Sequence, residues 1–262
     1  MAHTIYENFV LANEIEDQYN SLLDLQQFCT VDNSLVGTPG MIKRINVYTA
    51  TDGTEKLAMG VGNSKDIEVS YTDVEYKILM AQNRFKYFDE QEMTDPMVVQ
   101  TGLRHMAVDM FNTVNADIFA EFNKATLAVT ATAFDFGAFA DAVALLNSET
   151  PQGMNIFAFV NPADMAGLRK TLKDDLKYVE ASAVKQGYVG TVAGVSLFTK
   201  ADAVENTIII ANDEAVTLFN KKGVEVEQDR DNDIRENTIW SRKYFLPALT
   251  DATKVVKITL GS

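Results

Sequence analysis

Apolar residues recur at steps of three and four through residues 95–126, and this pattern predicts one long amphipathic helix. Asp95 is a favourable N-cap residue, and Pro96 stands where a first helical residue tolerates proline. The helix would be about 45 Å long, several times the usual length, so we expect other elements to lie along it. The apolar stripe consists of Val99, Leu103, Met106, Ala107, Met110, Val114, Ile118 and Phe122.

Alternating apolar and polar residues predict β-strands through residues 38–88. The first alternation ends at Asp52 and Gly53, a strong signal for a two-residue hairpin turn, and Leu57 and Met59 resume it. This hairpin has little apolar surface on either face by our interpretation. Because a two-stranded ribbon is marginal alone in water, we expect it to lean on this chain or on a neighbouring copy.

The middle of the chain, residues 130–225, has the mixed pattern of a compact α/β lobe. Helices are predicted after Phe136 and after Asn161-Pro162, and Gly223 is predicted to turn the chain. Predicted strands cover residues 154–160, 188–199, 207–211 and 216–219. Residues 234–260 return to extended structure, in which Pro247 indicates a strand end or an edge.

The first 35 residues contain acidic side chains but no lysine or arginine, and their periodicity is weak. We interpret them as an arm that is partly helical near residues 13–28. A helix packed on its own domain is the alternative.

Composition narrows the possible functions. The 262 residues have a formal net charge of −14, which argues against a protein that reads nucleic-acid sequence through a basic face. It does not argue against a protein that encloses nucleic acid without gripping it. We expect no membrane association, because no apolar run is long enough to span a bilayer and the first residues hold no signal-peptide core. Cys29 is the only cysteine, so no intramolecular disulfide can form.

The sequence contains no recognisable catalytic or cofactor signature, so we predict no catalytic and no cofactor-binding residue. Of the two histidines, His3 lies near the terminus, and His105 precedes Asp109 by one helical turn. A histidine–carboxylate pair can transfer protons, but we interpret this pair as part of the solvated face of the helix. Cys29 has no plausible histidine partner, and the chain holds no phosphate loop, dinucleotide fingerprint or HExxH motif.

The acidic run Asp229, Asp231 and Asp233 resembles the first positions of a calcium loop. The match fails where Ile234 replaces the required glycine and Trp240 replaces the bidentate glutamate. We therefore expect no metal. The run is interpreted as a charged loop containing Arg230 and Arg235, which is either solvated or paired across a subunit boundary.

Several short stretches, taken in their order along the chain, resemble the major capsid proteins of tailed bacteriophages. None is a catalytic signature, and the resemblance covers nearly the whole chain. The stretches are residues 31–35 with 39–41, 85–89, 95–96, 190–194, 227–231 and 242–244.

The resemblance implies an α+β protein with the tailed-phage major capsid fold. Residues 1–37 would be an N-terminal arm and residues 38–72 an extended β-hairpin loop that reaches over a neighbouring subunit. Residues 73–129 would form a peripheral domain whose spine helix covers residues 95–126, and residues 226–262 would return strands to it. Residues 130–225 would be an α/β axial domain. The candidate subunit-interface residues are Asp52, Gly53, Asp229, Arg230, Asp231 and Asp233.

By the same resemblance, the chain would be a structural protein, not an enzyme. Copies would assemble as hexamers and pentamers into an icosahedral shell around phage double-stranded DNA, in the cytoplasm of the host. Separate scaffolding, portal and decoration proteins are the expected partners. A cellular nanocompartment shell around protein cargo is the alternative on the same fold, and an α/β enzyme is the third possibility.

Overall fold

The computed structural model describes residues 23–146, 155–171 and 188–261. Residues 1–22, most of the predicted arm, lie outside this part. The described helices are α1 (Asp89–Thr94), α2 (Met97–Phe122), α3 (Phe136–Leu145) and α4 (Pro162–Thr171). The first six strands are β1 (Thr30–Asp32), β2 (Ile42–Ala50), β3 (Val69–Lys77), β4 (Leu79–Phe88), β5 (Leu127–Ala131) and β6 (Ile156–Val160). The other six are β7 (Tyr188–Val192), β8 (Val195–Thr199), β9 (Thr207–Asn212), β10 (Val216–Asp231), β11 (Glu236–Leu249) and β12 (Val255–Leu260).

The long helix is present as α2, and its start follows from local chemistry. The Asp95 carboxylate accepts a hydrogen bond from the backbone N–H of Met97 at 3.0 Å, which satisfies one of the free donors at the helix start. At the other end, the Asn123 side chain donates to the carbonyl of Phe119 at 3.0 Å, and the helix stops at Phe122. It is therefore a few residues shorter than predicted, about 39 Å long.

One stripe of α2 is buried, much as the periodicity predicts. The buried residues of α2 are Met106, Met110, Val114, Asn115, Ile118, Phe119 and Phe122. The first turns differ from the prediction, because Leu103 and Ala107 remain exposed. The N-terminal half of the stripe thus has less cover in the described chain than the C-terminal half.

A four-stranded sheet with the order β1-β10-β11-β4 lies against α2. Strands β10, β11 and β4 are antiparallel neighbours, and the short β1 joins β10 in parallel. At Gly102 helix and sheet come very close, since a Cβ atom there would stand 2.5 Å from the Phe85 ring of β4.

A six-stranded sheet with the order β5-β12-β9-β6-β8-β7 forms the lobe. One of its faces packs against α3 and α4 through a core that includes Phe139, Leu168 and Ile210, all buried. The other face joins the C-terminal half of α2 in a second core, where Phe122, Phe157 and Phe159 meet with ring centroids 5.3–5.8 Å apart. The two sheets therefore share α2 between them.

Two stretches belong to a different sheet or element from the one that the sequence predicted. Strand β10 passes Gly223 without turning: the register with β11 shifts between Asn220 and Glu225, and the strand then continues to Asp231. Strand β12 does not return to the four-stranded sheet. It lies between β5 and β9 in the lobe, where Val255, Val256 and Ile258 are buried, because a strand that is apolar at successive positions suits the middle of a covered sheet.

The chain preceding β1 is tied to α2. Residues Leu25–Phe28 form a single 3-10 turn capped by Asp24, which is all that the described part shows of the predicted helix at residues 13–28. The buried Asn115 of α2 accepts from the backbone N–H of Leu25 at 3.2 Å and donates to the carbonyl of Leu23 at 3.0 Å. These two bonds attach the backbone at Leu23 and Leu25 to α2.

Candidate assembly surfaces

Strands β2 and β3 form a two-stranded ribbon that is anchored only at its base. They pair in antiparallel register from Ile42 opposite Lys77 to Ala50 opposite Val69. At the base, Ile45 and Tyr76 pack on a small cluster that includes Phe219 and Leu246 of the four-stranded sheet. In its far half, Val69 and Tyr71 belong to no core cluster.

The turn of the ribbon is not the predicted two-residue turn. Asp52 and Gly53 lie at the start of a long connection, residues 51–68, because β2 pairs with β3 and not with residues near Met59. Gly53 is needed for a different reason, since a Cβ atom there would stand 2.6 Å from the Ile67 side chain. Asp52 is exposed.

Hydrogen bonds hold the two halves of this connection together. Thr51 and Glu68 exchange bonds of 2.9 and 3.0 Å, and Ser64 donates to both Glu55 carboxylate oxygens at 2.7 and 2.9 Å. The bonds from Ser64 hold the pKa of the Glu55 carboxyl below its usual value. The connection therefore extends the ribbon beyond its two strands.

The prediction that the ribbon has little apolar surface is wrong. Its large apolar side chains are numerous but face solvent in the isolated chain, and Met59 at the tip is fully exposed. Sequence alternation had located most of them, but it could not tell which face would be covered. The exposed residues are Ile42, Leu57, Met59, Val61, Ile67, Val69, Tyr71 and Val74. Exposed apolar side chains in such number are typical of interaction surfaces.

The charged loop predicted at residues 229–233 is the tip of the β10–β11 hairpin. Its two arginines reach the acidic start of α1: Arg230 pairs with Asp89 at 2.6 Å and Arg235 with Glu90 at 2.8 Å. Asn237 donates to the second oxygen of Asp89 at 2.7 Å. These pairs lie within one chain and at its surface, so each is worth little to the stability of the fold.

The acidic residues of the tip accept hydrogen bonds from the backbone of the same turn. The Asp231 carboxylate accepts from the backbone N–H of Asp233 at 3.0 Å, and Asp229 accepts from Arg230 at 2.9 Å. Within residues 23–146, 155–171 and 188–261, no group of three or more potential metal ligands converges. All four candidate residues of the tip are exposed, and the structure brings them together at one end of the hairpin, far along the chain from Asp52 and Gly53.

The remaining candidates for chemistry are accounted for by their surroundings. Cys29 is buried, and burial together with the nearby Asp24 charge raises the pKa of its thiol to about 12, so the thiolate is scarce at neutral pH. His105 lies on the exposed face of α2. None of the described helices is long and apolar enough to cross a membrane.

The architecture, with its long helix, projecting ribbon and separate α/β lobe, is that of shell-forming capsid subunits. The chain aligns with the capsid of a native GTA particle at a TM-score of 0.71 and 13% identity, over 100% of this chain and 96% of the other. It aligns with the capsid of Cyanophage P-SCSP1u at a TM-score of 0.69 and 11% identity, over 100% and 92%. The chain therefore has the tailed-phage major capsid fold, as the sequence predicted.

The sequence itself leads to the same class. The chain is 26% identical to the "Major capsid protein" of Staphylococcus phage phiMR11, over 97% of this chain and 93% of the relative. No protein-family model matches the chain. The resemblance to the major capsid proteins of tailed bacteriophages, first noted from short stretches, is confirmed.

Proposed function

We propose that this chain is a major capsid protein, many copies of which form the icosahedral shell of a phage head around double-stranded DNA. The observation that carries the proposal is a capsid fold over the whole chain together with a ribbon whose apolar side chains face solvent in the single subunit. A subunit that must meet identical copies needs such surface, whereas a self-sufficient monomer would gain by covering it.

In this proposal the ribbon is the extended loop, and it lies against the surface of a neighbouring subunit. Polar residues at its edges, including the cross-strand pair of Arg44 with Glu75 at 2.5 Å, keep the free chain soluble. The apolar residues between them become buried only on assembly. Burial of this surface at about 25 cal/mol per Å² would stabilise each contact.

The division into domains follows the sheets in our proposal. The peripheral domain contains α2 and the four-stranded sheet, and the axial domain contains the six-stranded sheet with α3 and α4. Residues 216–225 then belong to the peripheral domain and residues 255–260 to the axial domain. Hexamers and pentamers would form around the axial domains, and the charged hairpin tip would meet a neighbour at the periphery.

The negative charge suits a container for DNA. A net charge of −14 per subunit repels the phosphate backbone, so packaged DNA would not adhere to the wall. The chain would therefore enclose DNA without reading its sequence and would act as a structural protein without catalysis. Scaffolding, portal and decoration proteins are separate partners in this proposal, and assembly takes place in the host cytoplasm before the protein enters the virion.

Electron microscopy of the purified full chain tests the proposal. We expect closed shells of uniform diameter, while an enzyme on an α/β lobe would show none. The contents of particles isolated from the native source separate the two shell functions. Double-stranded DNA supports a phage head, whereas protein cargo without DNA would overturn it in favour of a nanocompartment.

A further inference from the structure

A cleft of about 250 Å³ lies between α2 and the β10–β11 hairpin, outside the surfaces described so far. Its floor is formed by Met106, Met110 and Val114 of α2. Its rim is apolar and uncovered: Leu103, Val224 and Val226 are 40%, 57% and 63% exposed. The uncovered N-terminal half of the α2 stripe therefore faces an open cleft and not bulk solvent alone.

The chain enters the described part of the molecule at this cleft. Gln26 lines it, and the two hydrogen bonds of Asn115 hold Leu23 and Leu25 against α2 just beyond it. From Leu103 to Val114 the cleft follows α2 for about 16 Å at the helical rise per residue. The 22 residues that precede Leu23 could span about four times this distance if extended, at roughly 3.3 Å per residue.

The chemistry of the preceding segment is complementary to the cleft. Residues 5–17 contain Ile5, Tyr6, Phe9, Val10, Leu11 and Ile15, together with Glu7, Glu14, Glu16 and Asp17, and no basic residue. Among the described residues that line the cleft, the only charged one is Lys243. It forms no ion pair within 4 Å with any described carboxylate. Burial lowers the pKa of its ammonium group, and the nearby charge of Asp24 offsets this only in part, so a further adjoining carboxylate would be favourable.

We propose that residues 5–17 of the same chain occupy this cleft, with their apolar side chains on α2 and Val226 and one of their carboxylates beside Lys243. The segment would then complete the subunit by covering the part of the α2 stripe that the two strands leave open. The inference concerns the single subunit and goes beyond shell formation, so either proposal can fail without the other.

A cysteine placed in the cleft reports whether it is occupied. Ala107 lines the cleft and Asn112 is exposed elsewhere on α2, so Ala107→Cys and Asn112→Cys form a matched pair in the full chain. The reaction rate with a small thiol reagent is measured in unassembled subunits. Native Cys29 contributes the same slow background to both variants, because it is buried and its thiol pKa is raised.

The segment is then perturbed without shortening the chain. Phe9→Asp removes an apolar side chain and adds a charge, and Asn13→Asp adds only the charge. If the cleft is occupied nine-tenths of the time, Phe9→Asp should raise the labelling rate of Ala107→Cys about tenfold. Asn13→Asp should leave this rate unchanged, and neither should alter the rate of Asn112→Cys.

Equal labelling of Ala107→Cys with and without Phe9→Asp would overturn the proposal. Protection that strengthens as the protein concentration rises would also overturn it, because the occupant would then be a second copy. Protection that is independent of concentration and is lost with Phe9→Asp supports occupation by the same chain.

Discussion

Apolar side chains are buried in the lobe and exposed in the ribbon. In the six-stranded sheet the apolar residues of β9 and β12 are covered on both faces, and Ile208, Ile210, Val256 and Ile258 have no exposed surface. In the ribbon, side chains of the same kind are exposed: Ile67 is 63% exposed and Val69 is 50% exposed. The difference lies in what each sheet finds to pack against, since both regions have strand-like sequences.

This contrast indicates two separate uses of the same chemistry. Burial in the lobe stabilises the fold of one subunit, whereas apolar surface on the ribbon contributes nothing until a second molecule covers it. Substitutions in the lobe should therefore change the free energy of unfolding, and substitutions in the ribbon should change assembly. We order the expected effects of substitution from the largest change in subunit stability to the smallest, and an expectation for hydrogen exchange follows them.

Phe159→Ala should destabilise the subunit most. Phe159 is fully buried, and its ring lies 5.3–5.8 Å from the rings of Phe28, Phe119, Phe122 and Phe157. Removing it leaves a cavity at the junction of α2 with the lobe, which typically costs about 3–5 kcal/mol. Urea unfolding of the unassembled subunit measures the loss.

Phe136→Ala is the control for this prediction. Phe136 is 53% exposed at the start of α3, so the same truncation should change stability by no more than about 0.5 kcal/mol. Equal losses for the two variants would show that the lobe does not depend on this phenylalanine cluster.

Gly102→Ala should cost about 1–2 kcal/mol of subunit stability. The new Cβ would stand 2.5–2.7 Å from three ring atoms of Phe85, which forces helix and sheet apart, and the better helix propensity of alanine offsets only about 1 kcal/mol. Thermal unfolding shows whether the variant is less or more stable than the parent chain.

Gly167→Ala in α4 is the matched control, because its Cβ would meet nothing within 4 Å, so this variant should gain up to about 1 kcal/mol of stability. A stabilised Gly102→Ala would mean that the Phe85 ring moves aside freely.

Arg230→Ala should change subunit stability by only about 0.2–1 kcal/mol, because its pair with Asp89 is exposed. The yield of shells should fall if the hairpin tip meets a neighbouring subunit. Circular dichroism and particle counting measure the two effects separately. Lys222→Ala removes a comparably exposed pair with Glu225 away from the tip and should leave the yield unaltered. Normal yield for Arg230→Ala would remove the tip from the interface.

Met59→Asp should leave the melting temperature of the subunit almost unchanged and abolish shells. Met59 is fully exposed at the tip of the ribbon, so the folded subunit loses no contact, whereas a covered charge in an assembled shell is costly. Met93→Asp, at another exposed methionine, should still permit shells.

Hydrogen exchange sharpens the same comparison. Residues 51–68 should exchange quickly in the free subunit and slowly in the particle, while β9 should be protected in both. Equal protection of residues 51–68 in both states would show that the ribbon is stabilised within its own chain, and the extended-loop assignment would fail.

Sequence patterns predicted the elements whose signals are local. The stripe on α2 repeats over many turns, and the apolar runs of β6 and β9 are short and bounded, so their type and position could be predicted. Pairing partners were not predictable in the same way. The Asp52-Gly53 dipeptide has the composition of a tight turn, but the strand that pairs with β2 is decided by the base of the ribbon, where Ile45 and Tyr76 find the sheet.

The cleft was not predictable from the sequence for a related reason. Leu103 and Ala107 belong to the same apolar stripe as Met110, and nothing in the periodicity distinguishes covered from uncovered members. Lys243 is one of two basic residues in β11, and its position in an apolar cleft arises only from the packing of β11 on α2. The exposed Val224 and Val226, two positions apart on one strand, were the available signal.

The place of β12 has a consequence for synthesis of the protein on the ribosome. Val256 of β12 pairs with Leu127 of β5 on one side and with Ile210 of β9 on the other. The strand that joins β5 to the rest of the sheet is therefore made nearly half a chain length after β5 itself. Non-local pairing of this kind delays completion of the lobe until β12 has been made. A product that stops before residue 255 would leave β5 detached from the rest of its sheet, so truncated chains could not present a finished lobe to their neighbours. Only chains that have been translated through β12 would then fold completely and be incorporated into a growing particle.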